Sequence, residues 1–221
     1  MPPVFTVHDL GSGVSYAAAF AVQQAANEAL QAGTGEEVVY LVEHAPVITL
    51  TAKLSARANL ITPEAQLARM RIAVEETNRG GDITYHGPGQ LVVYPILDLN
   101  RHGLSLSSYM RLLEEVVIAV LAHFGIAGER EAGNTGVWVK RADGTLAKIC
   151  AMGVRIRKGT TLHGLALNVT TNLEHFNLIV PCGLAGRPVT SLAQVLGEKC
   201  PSMGEVKAQV VESLGEKLAP L

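Results

Sequence analysis

Residues 79–90 read Arg-Gly-Gly-Asp-Ile-Thr-Tyr-His-Gly-Pro-Gly-Gln, and they restrict the fold more than any other stretch of the chain. Two adjacent glycines let a ligand come close to the main chain, and Gly87-Pro88-Gly89 predicts a tight turn with little side-chain bulk. The apolar run Leu91-Val92-Val93-Tyr94 follows at once, so the turn hands over to a buried strand. A plain connecting loop is one reading of such a segment. The cation of Arg79 and the imidazole of His86 favour another, a pocket wall anchored on a sheet. The stretch is not a Walker loop, because no Gly-Lys-Ser/Thr follows, and it is not a dinucleotide fingerprint, because it leads into a strand rather than a helix.

The flanking sequence supplies the rest of a layered domain. Strands are predicted over 4–10, 38–42 and 47–50, the last two separated by the break at His44-Ala45-Pro46. An alanine-rich helix is predicted over 16–30. Thr62-Pro63-Glu64 reads as a helix start with proline in the first helical position, leading to residue 70, and a strand returns over 72–76. Apolar residues at helical spacing, among them Tyr109, Leu112, Leu113, Val116, Val117, Val120 and Leu121, predict an amphipathic helix over 105–123. Strands over 137–139, 146–157 and 163–169, joined by turns at Asp143-Gly144 and Lys158-Gly159, read as sequential and antiparallel. Helices over 191–196 and 206–218 close the chain. The expected fold class is α/β or α+β, with a mixed central sheet flanked by helices and a smaller antiparallel region.

With 221 residues and no linker-like composition shift, the chain is expected to form a single domain, 1–221. A formal net charge of −2 offers no basic field for nucleic acid. Arg155, Arg157 and Lys158 form the one dense basic cluster, which suits an acidic protein partner. No signal-peptide pattern and no membrane-spanning apolar run is found, so a cytoplasmic protein is expected. The three cysteines, Cys150, Cys182 and Cys200, are widely spaced without a Cys-x-x-Cys pair, which argues against a disulfide framework and a zinc site.

Cys182 lies between Pro181 and Gly183, a setting that suits a thiol displayed on a loop, whereas Cys150 and Cys200 read as buried structural cysteines. A thiol with an ordinary pKa of about 8.5 needs a cationic or basic neighbour to react at neutral pH. Lys148 is the candidate, since it interrupts an otherwise apolar strand. The alternative is that it simply points to solvent on the polar face.

Four ordered motifs together resemble the octanoyltransferase family, also called lipoate-protein ligase B, which belongs with the biotin and lipoate protein ligases. They are Arg79-Gly80-Gly81 with residues 84–90, then Lys148, then His163-Gly164-Leu165-Ala166-Leu167-Asn168, then Pro181-Cys182-Gly183 with Val189-Thr190-Ser191-Leu192. The likeness covers most of the chain. It implies a biotin/lipoate protein ligase-like fold and the first step of endogenous protein lipoylation. In that step an octanoyl group passes from octanoyl-acyl carrier protein, through a thioester on Cys182, to a lysine of a lipoyl domain. The implied acceptors are the lipoyl domains of 2-oxoacid dehydrogenase complexes and the glycine cleavage H protein.

The same resemblance gives Lys148 an acid/base role and requires no cofactor or metal. It assigns substrate binding to Arg79, Gly80, Gly81, Asp82, Ile83, Thr84, Tyr85 and His86, to Ala151, Met152 and Gly153, and to Gly164, Leu165 and Ala166. Two departures are Thr51, where the family commonly has glycine, and Cys150, which lies outside the shared signature. The energetics suit transfer without ATP, because thioester exchange is nearly neutral and amide formation runs downhill. Burying roughly six methylenes of the acyl tail is worth about 5 kcal/mol at about 0.8 each, and Gly80, Gly81, Gly153, Gly164 and Ala166 are expected to leave room for it. An ATP-dependent lipoate or biotin ligase of the same fold is the main rival, against which Cys182 and the turn at 87–90 speak. A non-catalytic acyl-carrier-binding module is the other.

Overall fold

The computed structural model describes residues 5–180 and 187–219. In chain order its strands are β1 (Thr6–Val14), β2 (Val38–His44), β3 (Val47–Thr51), β4 (Ala73–Thr77), β5 (Ile83–His86), β6 (Gln90–Ile96), β7 (Gly128–Glu131), β8 (Asn134–Lys140), β9 (Leu146–Arg157) and β10 (Thr160–Asn168). Its helices are α1 (Tyr16–Gln31), α2 (Leu54–Ala58), α3 (Glu64–Arg69), α4 (Leu106–His123), α5 (Leu192–Leu196) and α6 (Met203–Leu218). Seven strands make the main sheet in the order β1-β2-β6-β10-β9-β8-β7, and β4-β3-β5 make a second, smaller one.

Alternation along the strands sorts side chains between two layers. Leu91 and Val93 of β6 and Leu165 and Leu167 of β10 face α4 and α6, whose apolar stripes complete the larger core. Val92, Tyr94 and Ala166, one residue out of phase, pack with Ala19 of α1 on the opposite face. Every residue read from the sequence as the stripe of α4 is buried there. Ser105 caps that helix by accepting from the Ser108 N–H, and Ser202 caps α6 in the same way through Glu205. Ile48, Leu67, Ile83, Tyr85 and Phe176 form a separate core beneath the smaller sheet.

The mixed sheet with flanking helices agrees with the expected class, but its parts are distributed differently. The antiparallel hairpins β8, β9 and β10 are not a separate region, because β10 continues the ladder onto β6, with Leu165 opposite Val93 and Ala166 opposite Val92. The smaller sheet instead comes from β3, β4 and β5, and it holds a parallel pair, β3 with β4. Pro63 sits outside α3 in extended conformation as its N-cap, and Glu64 opens the helix. Among the described residues no helix is long and apolar enough to cross a membrane.

Candidate active site

A cavity of about 430 Å³ opens where the 79–81 loop meets the main sheet. The contact exists because β8 follows β9 only as far as Cys150, opposite Val137, and the edge of β9 beyond it is taken by the loop. There the Gly80 N–H donates to the Val154 carbonyl at 2.9 Å. A Cβ on Gly153 would stand 2.6 Å from the Gly80 carbonyl oxygen, and one on Gly164 would stand 2.1 Å from that of Val93. These glycines therefore do not leave room for an acyl tail as expected; backbone fills the space that their side chains would occupy. Apolar lining comes from Val92, Leu106, Met110, Met152, Val154 and Leu165, with Ala151 and Ala166 beside them.

Of the residues singled out from the sequence, Arg79, Gly80, Gly81, Thr84, His86, Lys148, Ala151, Met152, Gly153, Gly164, Leu165 and Ala166 line this one cavity. Asp82, Ile83 and Tyr85 do not. Strand alternation divides the 83–86 stretch: Thr84 and His86 face the cavity, whereas Ile83 and Tyr85 enter the smaller core. Asp82 accepts from Asn59 Nδ2 at 2.9 Å. Cys182 lies outside the described residues.

Lys148 is half-buried and turns into the cavity wall. Its Nζ donates to the Thr135 carbonyl at 3.0 Å and lies 4.7 Å from the ring centre of the fully buried Trp138, so a carbonyl dipole and a π face both hold the ammonium. A register shift between Val137 and Trp138 sets this geometry, with Val137 opposite Cys150 and Trp138 opposite Lys148. The Thr135 carbonyl is fixed in turn by Glu114, a buried carboxylate of α4 whose Oε1 accepts the Gly136 N–H at 3.2 Å. Arg111 and Arg130 donate to its Oε2 at 2.8 and 2.9 Å. The Lys148 main chain is bonded to the segment after the undescribed one: its N–H donates to the Pro188 carbonyl at 2.9 Å, and the Thr190 N–H donates to its carbonyl at 2.9 Å.

Tyr16, His86, Tyr94 and His163 make a polar wall of the cavity, and His44 packs behind it against Tyr94 and His86. The His44 Nδ1 lies 3.1 Å from the Val14 carbonyl, which only accepts, so that nitrogen carries the proton and Nε2 accepts from the Tyr94 hydroxyl at 2.7 Å. Tyr16 bonds Thr77 Oγ1 at 2.6 Å and stacks on His86, and His163 stacks on Phe20 while its Nε2 bonds Asn78 Oδ1 at 2.7 Å. Burial lowers His44 to about 4 and His163 to about 3, the latter with the charges of Arg79 and Arg155 adding to it. Burial, with His44 nearby, holds His86 well below the usual histidine value. All three are neutral at physiological pH. Arg79 donates to the carbonyls of Thr49, Gly80 and Asp82 at 3.1, 2.9 and 3.2 Å, which holds a fixed cation on the same wall. Cys150 is buried and its thiol is pushed up to about 12 by that burial, as befits an unreactive core cysteine.

Tyr16, Glu114, Thr135, Trp138 and Tyr94 were not singled out as site residues from the sequence. For Glu114 a signal existed, since it is a carboxylate at a buried position of the α4 stripe. Tyr16 and Tyr94 bond Thr77 and His44, which are far off in the chain, and spacing carries no sign of them; Thr135 and Trp138 meet Lys148 across a hairpin whose register shift the sequence does not show.

The resulting site is an apolar cavity with a lysine and an arginine on a wall of neutral imidazoles. The catalytic-domain model of the lipoyl protein ligase A/B family matches residues 15–215, and the chain belongs to that family. An octanoyltransferase of Chloroflexus aurantiacus is 47% identical over 215 residues, 97% of this chain and 94% of that protein. Within the family the chain therefore stands with the octanoyltransferases, which are acyltransferases. The fold is shared with Ta0514 of Thermoplasma acidophilum, solved with bound lipoic acid, at a TM-score of 0.77 and 17% identity over 97% of this chain and 86% of that one. It is shared too with a lipoate-protein ligase A solved with ATP, at a TM-score of 0.70 and 16% identity over 99% and 86%.

Proposed function

We propose that the chain moves an octanoyl group from octanoyl-acyl carrier protein to a lysine of a lipoyl domain through a thioester on Cys182, with Lys148 as acid and base. The observation that carries this reading is the position of Lys148. It lies on the cavity wall with its main chain bonded to Pro188 and Thr190, a few residues after Cys182 in the sequence. The Lys148 ammonium favours the Cys182 thiolate, the thiolate attacks the carrier thioester, and the carrier's thiolate leaves with the proton that Lys148 gives up, which leaves Lys148 neutral. The acceptor amine then attacks the enzyme thioester, Lys148 takes its proton, the amide forms and the Cys182 thiolate departs. The acceptors in this reading are lipoyl domains of 2-oxoacid dehydrogenase complexes and the glycine cleavage H protein, and the reaction belongs to the cytoplasm.

Because a ligase solved with bound ATP shares the fold, the test must separate transfer without ATP from an ATP-dependent route. Intact-mass spectrometry after mixing with octanoyl-acyl carrier protein, without ATP, should add one octanoyl group, located at Cys182 and absent from Cys182→Ala. An adduct on Cys150 or Cys200 would overturn the choice of nucleophile. Lipoyl-domain modification that depends on ATP would overturn the transfer mechanism.

A further inference from the structure

Gln90, Asn168 and Thr190 belong to three separate motifs, and the chemistry above uses none of their side chains. All three are buried, and they form one continuous chain of hydrogen bonds. Asn168 Nδ2 donates to the Thr190 carbonyl at 3.0 Å, and Gln90 Nε2 donates to Asn168 Oδ1 at 2.9 Å. The His86 Nδ1 lies 2.7 Å from Gln90 Oε1. A carbonyl oxygen only accepts, so Thr190 forces the amide of Asn168 to present its nitrogen there and its oxygen to Gln90. Gln90 must then offer its own nitrogen to Asn168, an orientation reinforced by its bond to the Tyr85 carbonyl at 3.3 Å. Its oxygen is left for His86, and the nitrogen that meets it has to carry a proton.

We infer that Gln90 and Asn168 are positioning residues that fix His86 as its Nδ1–H tautomer and fasten the 188–190 segment alongside Lys148. His86 lines the cavity, and Nε2 is thereby left as an unprotonated acceptor for an N–H or S–H group brought there. The same chain holds Thr190 from one side while Lys148 holds it from the other through its main-chain bond. Polarity thus runs in one direction from a backbone carbonyl, through two amides, to an imidazole. Only the effect on transfer rests on the proposed role of Lys148; the tautomer does not.

The test uses the full chain labelled with 15N-histidine, with the ring nitrogens read by long-range proton–nitrogen correlation. Wild-type His86 should show a protonated Nδ1 and a bare Nε2. Gln90→Ala should move it towards the Nε2–H form that free histidine prefers, and the isosteric Gln90→Glu, which keeps the acceptor, should not make Nε2–H the main form. Asn168→Asp should keep the tautomer, since Gln90 still donates to it, but should repel the Thr190 carbonyl. Its turnover should fall roughly a hundredfold, the scale of a misplaced reacting group, with little change in KM for the octanoyl donor. A wild-type His86 protonated on Nε2, or a Gln90→Ala spectrum identical to wild type, overturns the tautomer assignment even if other variants do not fold. Wild-type turnover in Asn168→Asp overturns the positioning role. Failure of wild-type protein to transfer at all, with the expected spectrum, counts against the catalytic reading alone.

Discussion

Lowering the pH from about 7 to about 5 should strip this fold of much of its stability while its carboxylates are still ionised. His44, His86 and His163 are buried and neutral, with His44 at about 4 and His163 at about 3. In the unfolded chain each returns to the ordinary value near 6.5 and binds a proton as the pH falls below it. Over that window the unfolded state holds more protons than the native one, so stability falls with falling pH. The stabilisation is fully present above about 6.5 and is lost as the pH drops towards the folded values. His44 and His163 each cost about 1.4 kcal/mol per pH unit once below 6.5, hence about 2 kcal/mol each between pH 7 and 5. Those two together cost about 4 kcal/mol, a large part of the stability of many domains, and His86 adds to the loss in the same direction. A chain of this length should lose roughly 8–16 °C of melting temperature from His44 and His163 alone.

Urea unfolding at constant ionic strength across that range measures the slope directly. Asp143 and Glu205, held below the ordinary carboxylate range by hydrogen bonds from Thr145 and Ser202, contribute only further down. His163→Gln, which cannot titrate, should reduce the slope by one proton, whatever its effect on stability at neutral pH. A flat profile between about pH 7 and 5, or a wild-type slope in His163→Gln, would refute the assignment of these histidines as neutral and buried.

Three shorter predictions follow from other parts of the structure. Lys148→Arg keeps a cation over Trp138 but cannot accept a proton; it should form some octanoyl-enzyme and fail to pass the group on, while Lys148→Ala should be poor at both half-reactions in single-turnover assays. Gly164→Ala puts a methyl 2.1 Å from the Val93 carbonyl, which should cost about 3 kcal/mol and lower the melting temperature by roughly 6–12 °C. Arg155, Arg157 and Lys158 are exposed at the end of the β9–β10 hairpin. Charge reversal of Arg155 and Arg157 should weaken transfer from carrier protein and its salt dependence, and leave transfer from a small octanoyl thioester unchanged.

The elements legible in the sequence are those with a single burial period over many residues, such as α4 with its unbroken stripe and β6, β9 and β10 with their long apolar runs. The elements that escaped notice lack one. β7 is charged edge strand, and α2 has one buried residue, Ala56. β5 was hidden for a different reason. Ile83, Thr84 and Tyr85 favour strands, but glycines on both sides leave a run too short to stand out as a strand of its own. At the site, the segments with unusual residue density were legible one by one. Their meeting was not, because the bonds that join them, His86 to Gln90, Asn168 and Thr190, or Tyr94 to His44, close only after the sheet order is known.

β5 also offers the sharpest check on how the cavity is built, because its alternation assigns adjacent residues to different tasks. Thr84 faces the cavity, and Tyr85 is buried in the core of the smaller sheet with its hydroxyl 2.7 Å from His175 Nδ1. Tyr85→Phe removes that hydrogen bond and should cost about 1 kcal/mol, a melting-temperature drop of about 2–4 °C, with octanoyl transfer unchanged. Thr84→Phe sends its added bulk into empty volume rather than into packed side chains, so it should melt close to wild type. That bulk occupies space an acyl chain would need, and acyl-enzyme formation should fall at least tenfold. Parallel melting curves and acylation rates for the two variants separate the tasks. If Thr84→Phe is acylated normally, or Tyr85→Phe loses transfer while still folded, then the wall of the cavity is not divided along β5 in this way.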